Sequence, residues 1–88
     1  MTTLDSVAEK RVRDRLRRAE GQVRGVQRML EEGRPCEDVI TQLLAARSAL
    51  DETIRVIVTE RVSECVLTLP PQEAREAVSR AVRLLTRT

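Results

Sequence analysis

The chain has 88 residues, with 16 Lys and Arg side chains against 14 Asp and Glu side chains, so its net charge is +2. This length is enough for one domain. Phe, Trp, Tyr and His are all absent, so the core must be aliphatic, and any catalytic or zinc site that needs imidazole is excluded. Two cysteines are also too few for a four-cysteine zinc site. We therefore expect a single aliphatic domain that is not an enzyme.

The first predicted helix runs from Asp5 or Ser6 to Glu32. Either of the first two residues suits an N-cap, and Gly33 suits the position just after the helix. Apolar residues recur along this segment at alternating spacings of four and three, which is typical of a coiled-coil seam. The members of this seam are Val12, Leu16, Ala19, Val23, Val26 and Leu30.

The second helix is predicted to start near Pro35, which is acceptable as a first helical residue, and to reach about Leu67. Its apolar stripe comprises Ile40, Leu43, Leu50, Ile54 and Ile57, widened by Val39, Leu44, Ala46 and Val58. The third helix follows Pro71, with Ala74, Ala77, Val78, Ala81, Val82 and Leu85 on its apolar side. Since no segment alternates as a strand does, the predicted fold is all-α. It has a long antiparallel helical hairpin and a short C-terminal helix.

A hairpin alone does not bury two wide apolar stripes. We expect a second chain to cover them, so that two hairpins form a four-helix bundle. The alternative is a compact three-helix monomer. We favour the oligomer because helices of roughly 28 and 32 residues are long for a small monomeric bundle.

Positive charge is concentrated in the first helix. Residues 10–28 carry eight cations and two anions, whereas residues 35–69 carry three cations and six anions. Nearby acids are too few to pair all the arginines, and the arginine fork suits phosphate and guanine. Without aromatic side chains, base stacking on a single strand is disfavoured, so the pattern favours duplex DNA. The alternative is a solvated helix face carrying ion pairs along the helix.

The two cysteines lie at opposite ends of the predicted second helix. Cys36 and Cys65 are 29 residues apart, or ~44 Å along a helix, whereas a disulfide needs Cα atoms about 4.4–6.8 Å apart. At ~100° per residue both thiols lie on one face, together with position 61. An antiparallel pair of such helices would therefore place Cys36 of one chain beside Cys65 of the other. The alternative is two inert cysteines buried in a core.

The segment from Arg15 to Leu50 resembles the CsoR/FrmR family of bacterial repressors. The likeness rests on the GQVRG element at Gly21–Gly25, on Met29-Leu30 and on Cys36-x-Asp38-Val39, and it extends in pattern through Cys65. It implies an all-α, disc-shaped tetramer, assembled as a dimer of dimers without a winged helix. It also implies that basic surfaces bind operator DNA and release it when an inducer modifies or ligates a cysteine.

The resemblance also bears on the inducer. Copper-sensing members carry Cys, His and Cys where this chain has Cys36, Arg61 and Cys65, and arginine has no lone pair to offer a metal. Nickel and cobalt sensors need further nitrogen ligands, and formaldehyde sensors use an N-terminal proline and a histidine where this chain has Thr2 and no histidine. The remaining dithiol is similar to the CstR branch, which senses persulfide and polysulfide.

The main hypothesis is a repressor of sulfide and persulfide detoxification genes that needs no cofactor. A di- or polysulfide bridge between Cys36 and the partner chain's Cys65 would release it from DNA. Cys36 is the expected attacking thiol because a helix N-terminus lowers thiol pKa, and Arg61 of the partner chain would favour its thiolate. One alternative is a Cu(I)-responsive repressor that uses both thiolates. Another is a DNA-binding helical oligomer with inert cysteines.

The DNA contacts predicted from the first helix are Arg15 first, then Arg11, Arg18 and Gln22, with Arg55 from the second helix; Arg13 and Arg17 are the next candidates. Glu52 stands where some family members carry a basic residue. The longest apolar run has four residues, 43–46, so no membrane contact is expected. The N-terminal segment lacks the apolar core of a secretory signal, and we expect a cytoplasmic protein.

Overall fold

A computed structural model describes residues 4–87, so Thr2 lies outside the described residues. Three helices account for most of this range: α1 (Ser6–Glu31), α2 (Cys36–Thr68) and α3 (Pro71–Leu85). No residue from 4 to 87 belongs to a strand. The predicted all-α fold of three helices is confirmed, with boundaries within a residue or two of those expected.

Local chemistry explains where the helices begin and end. The Asp5 carboxylate caps α1 by accepting a hydrogen bond of 2.7 Å from the backbone N–H of Ala8. Gly33 follows α1 with φ of 66°, a left-handed conformation that glycine adopts at little cost. The second helix starts near Pro35, as predicted, but Pro35 itself is not the first helical residue. Its backbone is extended, with ψ of 147°, so it precedes the helix as the N-cap and Cys36 is the first helical residue.

The hairpin of α1 and α2 is held together mainly by small side chains. Val12, Ala19 and Val26 are the buried members of the α1 seam, and Ala46, Ala49 and Thr53 are buried on α2. The Thr53 hydroxyl donates to the carbonyl of Ala49 at 2.8 Å, so its burial leaves no unmet hydrogen bond. The other half of the seam, Leu16, Val23 and Leu30, stays exposed in the single chain.

The large apolar stripe of α2 does not pack against α1. Its five predicted members, Ile40, Leu43, Leu50, Ile54 and Ile57, are each between 42 and 54% exposed. The hairpin contact uses Ala49 and Thr53 instead, which the apolar periodicity did not single out. One chain therefore leaves its largest aliphatic face open, as expected if a second chain covers it.

The third helix packs on the C-terminal part of α2. Ala74 and Ala77 of α3 cluster with Cys65, and Leu69 in the connecting turn packs against this cluster. Within residues 4–87, α3 contacts α2 but not α1. This chain is elongated, with extents of 55 × 29 × 16 Å. None of the described helices is long and apolar enough to cross a membrane.

Candidate functional site: a basic face and two thiols

Several cations of α1 are paired within the helix itself. Lys10 lies 2.9 Å from Asp14, Arg13 lies 2.7 Å from Glu9, and Arg24 pairs with Glu20. Arg13 and Arg24 thus each have an acid one helical turn away, although the acids of α1 are too few to pair all of its arginines. The hydrogen bond from Lys10, together with its charge, lowers the pKa of Asp14. Arg13, a secondary candidate for DNA contact, is thus already engaged.

Arg15 pairs with an acid of the other helix. Its Nε lies 3.3 Å from Glu52 Oε2, and its Nη1 lies 3.5 Å from the Arg11 carbonyl oxygen. Only 27% of its side chain is exposed. Among residues 4–87 this is the one ion pair that joins α1 to α2. The first-ranked DNA contact from the sequence is therefore held at the junction of the hairpin.

The structure brings Arg11 of α1 and Arg55 of α2 together. Both line one small depression of about 150 Å³ between the two helices, with Val56, Thr59 and Glu60 as the other lining residues. Both arginines are exposed, as are Arg17 and Arg18 farther along α1. The basic surface thus extends across the junction of two helices and is not confined to one stripe of α1.

Gln22, another predicted DNA contact, lies against α2. It is half-buried, and its backbone carbonyl oxygen accepts a hydrogen bond of 3.2 Å from Gln42 Nε2. The side-chain Oε1 of Gln22 is buried without a hydrogen-bond partner among residues 4–87. A Cβ on Gly25 would come within 2.8 Å of the same Gln42 nitrogen, whereas a Cβ on Gly21 would meet open space. One glycine of the GQVRG element thus serves the packing of the hairpin.

The two thiols have opposite environments. Cys36 is exposed at the first turn of α2, whereas Cys65 is 1% exposed and covered by Ala74, Ala77 and Leu69. Both cysteines are free. Because α2 runs unbroken over 33 residues, the two sulfurs of one chain stay at opposite ends. Burial is the alternative that the sequence left open for both cysteines, and it holds for Cys65 only, because the small side chains of Ala74 and Ala77 let α3 approach it closely.

Arg61 lies one helical turn before Cys65. Its Nη1 is 4.0 Å from Glu64 Oε2, and it lines a groove of about 820 Å³ between α2 and α3. The apolar part of the groove wall comprises Ile54, Ile57, Val58, Ala81, Leu84 and Leu85. Within residues 4–87 of a single chain, no three His, Cys, Asp or Glu side chains gather as a metal site. Because α2 holds the two cysteines at opposite ends, a site that used both would have to join two chains.

Comparison with known proteins places this arrangement among regulators. Residues 8–87 match a family described as metal-sensitive transcriptional repressor. The copper-sensing transcriptional repressor RicR of Mycobacterium tuberculosis is 42% identical over 79 residues, covering 78% of this chain and 82% of that protein. The copper-sensing transcriptional repressor CsoR of Bacillus subtilis is 36% identical over 55 residues, covering 62% of this chain and 54% of that protein.

Proposed function

Because this chain belongs to the family of metal-sensitive transcriptional repressors, we propose that it binds duplex operator DNA and releases it through an interchain pair of thiols. The pair is Cys36 of one chain and Cys65 of its partner. The chain is a repressor and not an enzyme, because its family and both named relatives are described as transcriptional repressors. Repression then depends on two surfaces: a basic one that meets DNA and a thiol-bearing one that meets the inducer.

The exposed apolar stripe of α2 is the observation that carries this proposal. Leu50, near the midpoint between the two cysteines, belongs to the stripe and is exposed. If two α2 helices pair antiparallel about a two-fold axis near Leu50, the stripe of each is buried and each Cys36 comes to the partner's Cys65 end. In that register Leu43 of one chain faces Val58 of the other, at the groove beside α3. Burial of these side chains supplies the driving force.

The junction of α1 and α2 is the proposed DNA surface. Arg11 and Arg55 share one depression there, and Arg15 lies one turn along α1 from Arg11. The arginine guanidinium binds phosphate through bidentate hydrogen bonds. A two-fold assembly presents this surface twice, which suits a duplex operator with two half-sites.

Cu(I) is the inducer that the comparisons favour, because both named repressors are described as copper-sensing. Two thiolates are soft ligands of the kind that Cu(I) prefers, so Cys36 and the partner's Cys65 fit as its holders. Arg61 contributes no ligand, since a guanidinium has no free lone pair. A Cu(I) site here would thus rest on sulfur alone.

A persulfide or polysulfide is the second candidate, favoured by the complete absence of histidine. The Cys36 thiolate would take one sulfur from a polysulfide, which departs one sulfur shorter. The partner's Cys65 thiolate would then attack the Cys36 sulfur and expel hydrosulfide, which leaves a disulfide between the chains. The inducer is the oxidant in this sequence, and two thiols suffice. With Cys65 covered, Cys36 is the first thiol to react.

The deciding experiment measures DNA release by each inducer. The probe is a fluorescently labelled duplex fragment that the protein itself enriches from genomic DNA. Fluorescence anisotropy measures its binding before and after the addition of Cu(I) or, in a separate experiment, sodium tetrasulfide. We expect release by Cu(I) that a Cu(I) chelator reverses and that Cys36→Ser abolishes. Release by tetrasulfide alone, reversed by a reductant, would select the sulfur mechanism. Release by neither reagent would contradict a thiol-controlled repressor.

A further inference from the structure

The pairing of Arg15 with Glu52 has a consequence for DNA binding. The carboxylate comes from α2 and lies 3.3 Å from the Arg15 Nε, with 47% of the Glu52 side chain and 27% of the Arg15 side chain exposed. Arg15 is thus neutralised by the protein's own acid on the surface where the basic residues gather. It cannot bind a phosphate through that nitrogen while the pair is intact.

Glu52 lies close to the other cations of this surface. Arg11 is one turn before Arg15 on α1, and Arg15 Nη1 reaches its carbonyl oxygen. Arg55 is one turn after Glu52 on α2 and shares a depression with Arg11. A phosphate that approached the junction would therefore meet Glu52 beside three arginines.

We propose that Glu52 is an internal competitor of DNA for Arg15. This inference rests on the proposed DNA surface and names the residue that sets its strength. In the free protein the Glu52 carboxylate holds the guanidinium, and in the complex a DNA phosphate takes its place. The exchange is feasible because exposed ion pairs are weak. Glu52 therefore weakens DNA binding without blocking it.

Competition by Glu52 should change how the DNA-binding constant depends on salt concentration. An arginine that binds a phosphate releases about 0.9 of a counterion from duplex DNA. When Arg15 leaves Glu52, the freed carboxylate lies beside other phosphates and takes up a cation from solution. This uptake offsets the release, so the Arg15 contact adds almost nothing to the slope of log K against log salt concentration. Removing the carboxylate charge should restore the full contribution.

The test compares Glu52→Gln with the natural protein on the same genomic duplex over a salt series. We expect roughly 1.4- to fivefold tighter binding at low salt for each pair, the range that an exposed ion pair spans. We also expect a slope steeper by about 0.9 for each Arg15 that binds phosphate. The control is Glu76→Gln on α3, an exposed glutamate whose substitution changes the net charge equally. It should leave the slope unchanged.

A double variant separates competition from general repulsion. If Glu52 acts through Arg15, the gain in affinity from Glu52→Gln should be much smaller in the Arg15→Ala background. An equal gain in affinity in that background would overturn the proposal, because Glu52 would then act on DNA by repulsion and not through Arg15. Unchanged affinity and slope in Glu52→Gln, with normal binding by the natural protein, would overturn it as well. Failure of the natural protein to bind any duplex would instead refute the proposed function beneath it.

Discussion

Two sides of α2 differ in the size and the burial of their side chains. Toward α1 it presents Ala46, Ala49 and Thr53, all buried, and it packs against the alternate seam residues of α1. On its other side the stripe from Ile40 to Ile57 remains 42–54% exposed. Full burial of a large aliphatic side chain contributes about 1.5–3 kcal/mol, so covering this half-exposed stripe in the proposed assembly would add further hydrophobic stabilisation. The hairpin thus uses the side of α2 that carries small residues (the small side), and the proposed association of chains would use the side that carries the large aliphatic residues (the large side).

If the proposed function holds, this division ties the thiol sensor to the assembly. Cys36 and Cys65 lie at the two ends of the large side, and within one chain they cannot meet along an unbroken helix. Binding between chains stabilises each folded chain by mass action. A change that opens the large side should therefore affect oligomer mass, thermal stability and inducer response together, whereas a change on the small side should affect the hairpin first.

The largest effect is expected from Ile54→Glu, which places a charge in the centre of the large side. Burying an unpaired carboxylate costs several kcal/mol, so the chains should dissociate and the thermal midpoint should fall sharply. Light scattering should then give the single-chain mass of 10.0 kDa. Ser79→Glu on the exposed side of α3 is the matched control. Unchanged mass and stability in Ile54→Glu would contradict the assignment of the large side to assembly.

A smaller effect is expected on the reaction rates of the two thiols at the ends of α2. In Cys65→Ser the remaining exposed Cys36 should react at once with a thiol reagent. In Cys36→Ser the covered Cys65 should react more than about tenfold more slowly, because α3 must move away first. Stopped-flow absorbance with an aromatic disulfide measures both rates. Equal rates in the folded variants would show that α3 does not protect Cys65.

The smallest effect is expected on the free energy of unfolding when two glycines of α1 are each replaced by alanine. Gly21→Ala should stabilise by roughly 0.5–1 kcal/mol, because alanine favours helix and its Cβ meets open space. Gly25→Ala should lose most of that gain, because its Cβ would displace Gln42 and its hydrogen bond to Gln22, a loss of about 1 kcal/mol. Chemical denaturation of both variants measures the difference. A Gly25→Ala variant as stable as Gly21→Ala would mean that the Gln42 contact adds nothing.

The helices were predictable because their signals are local. Asp5 caps α1, Gly33 ends it and the two prolines of the second turn start α3, each through the conformation of its own backbone. The start of α2 is predictable at Pro35 only to within one residue. Proline fits both the first helical position and the extended residue before it, and its backbone is extended here.

The details of the site were harder to predict because they depend on which helix faces which. Apolar periodicity shows that a residue such as Ile54 or Leu16 must be covered, but it does not show whether the cover comes from the same chain. The pairing of Arg15 with Glu52 joins residues 37 positions apart and needs the register of the hairpin. The burial of Cys65 depends on where α3 folds back, which two prolines permit but do not specify.

The most direct test of the interchain thiol pair uses two single-cysteine variants that are each unable to form it. Cys36→Ser and Cys65→Ser are unfolded and refolded together so that their chains exchange, and a mild thiol oxidant is then added. Every mixed pair holds one Cys36 and one Cys65 at the same predicted site. We expect a covalent dimer that forms efficiently only in the mixture, with a Cys36–Cys65 disulfide found by peptide mass spectrometry. No such link in the mixture, or an equal yield of dimer in either variant alone, would contradict the antiparallel pairing of the α2 helices.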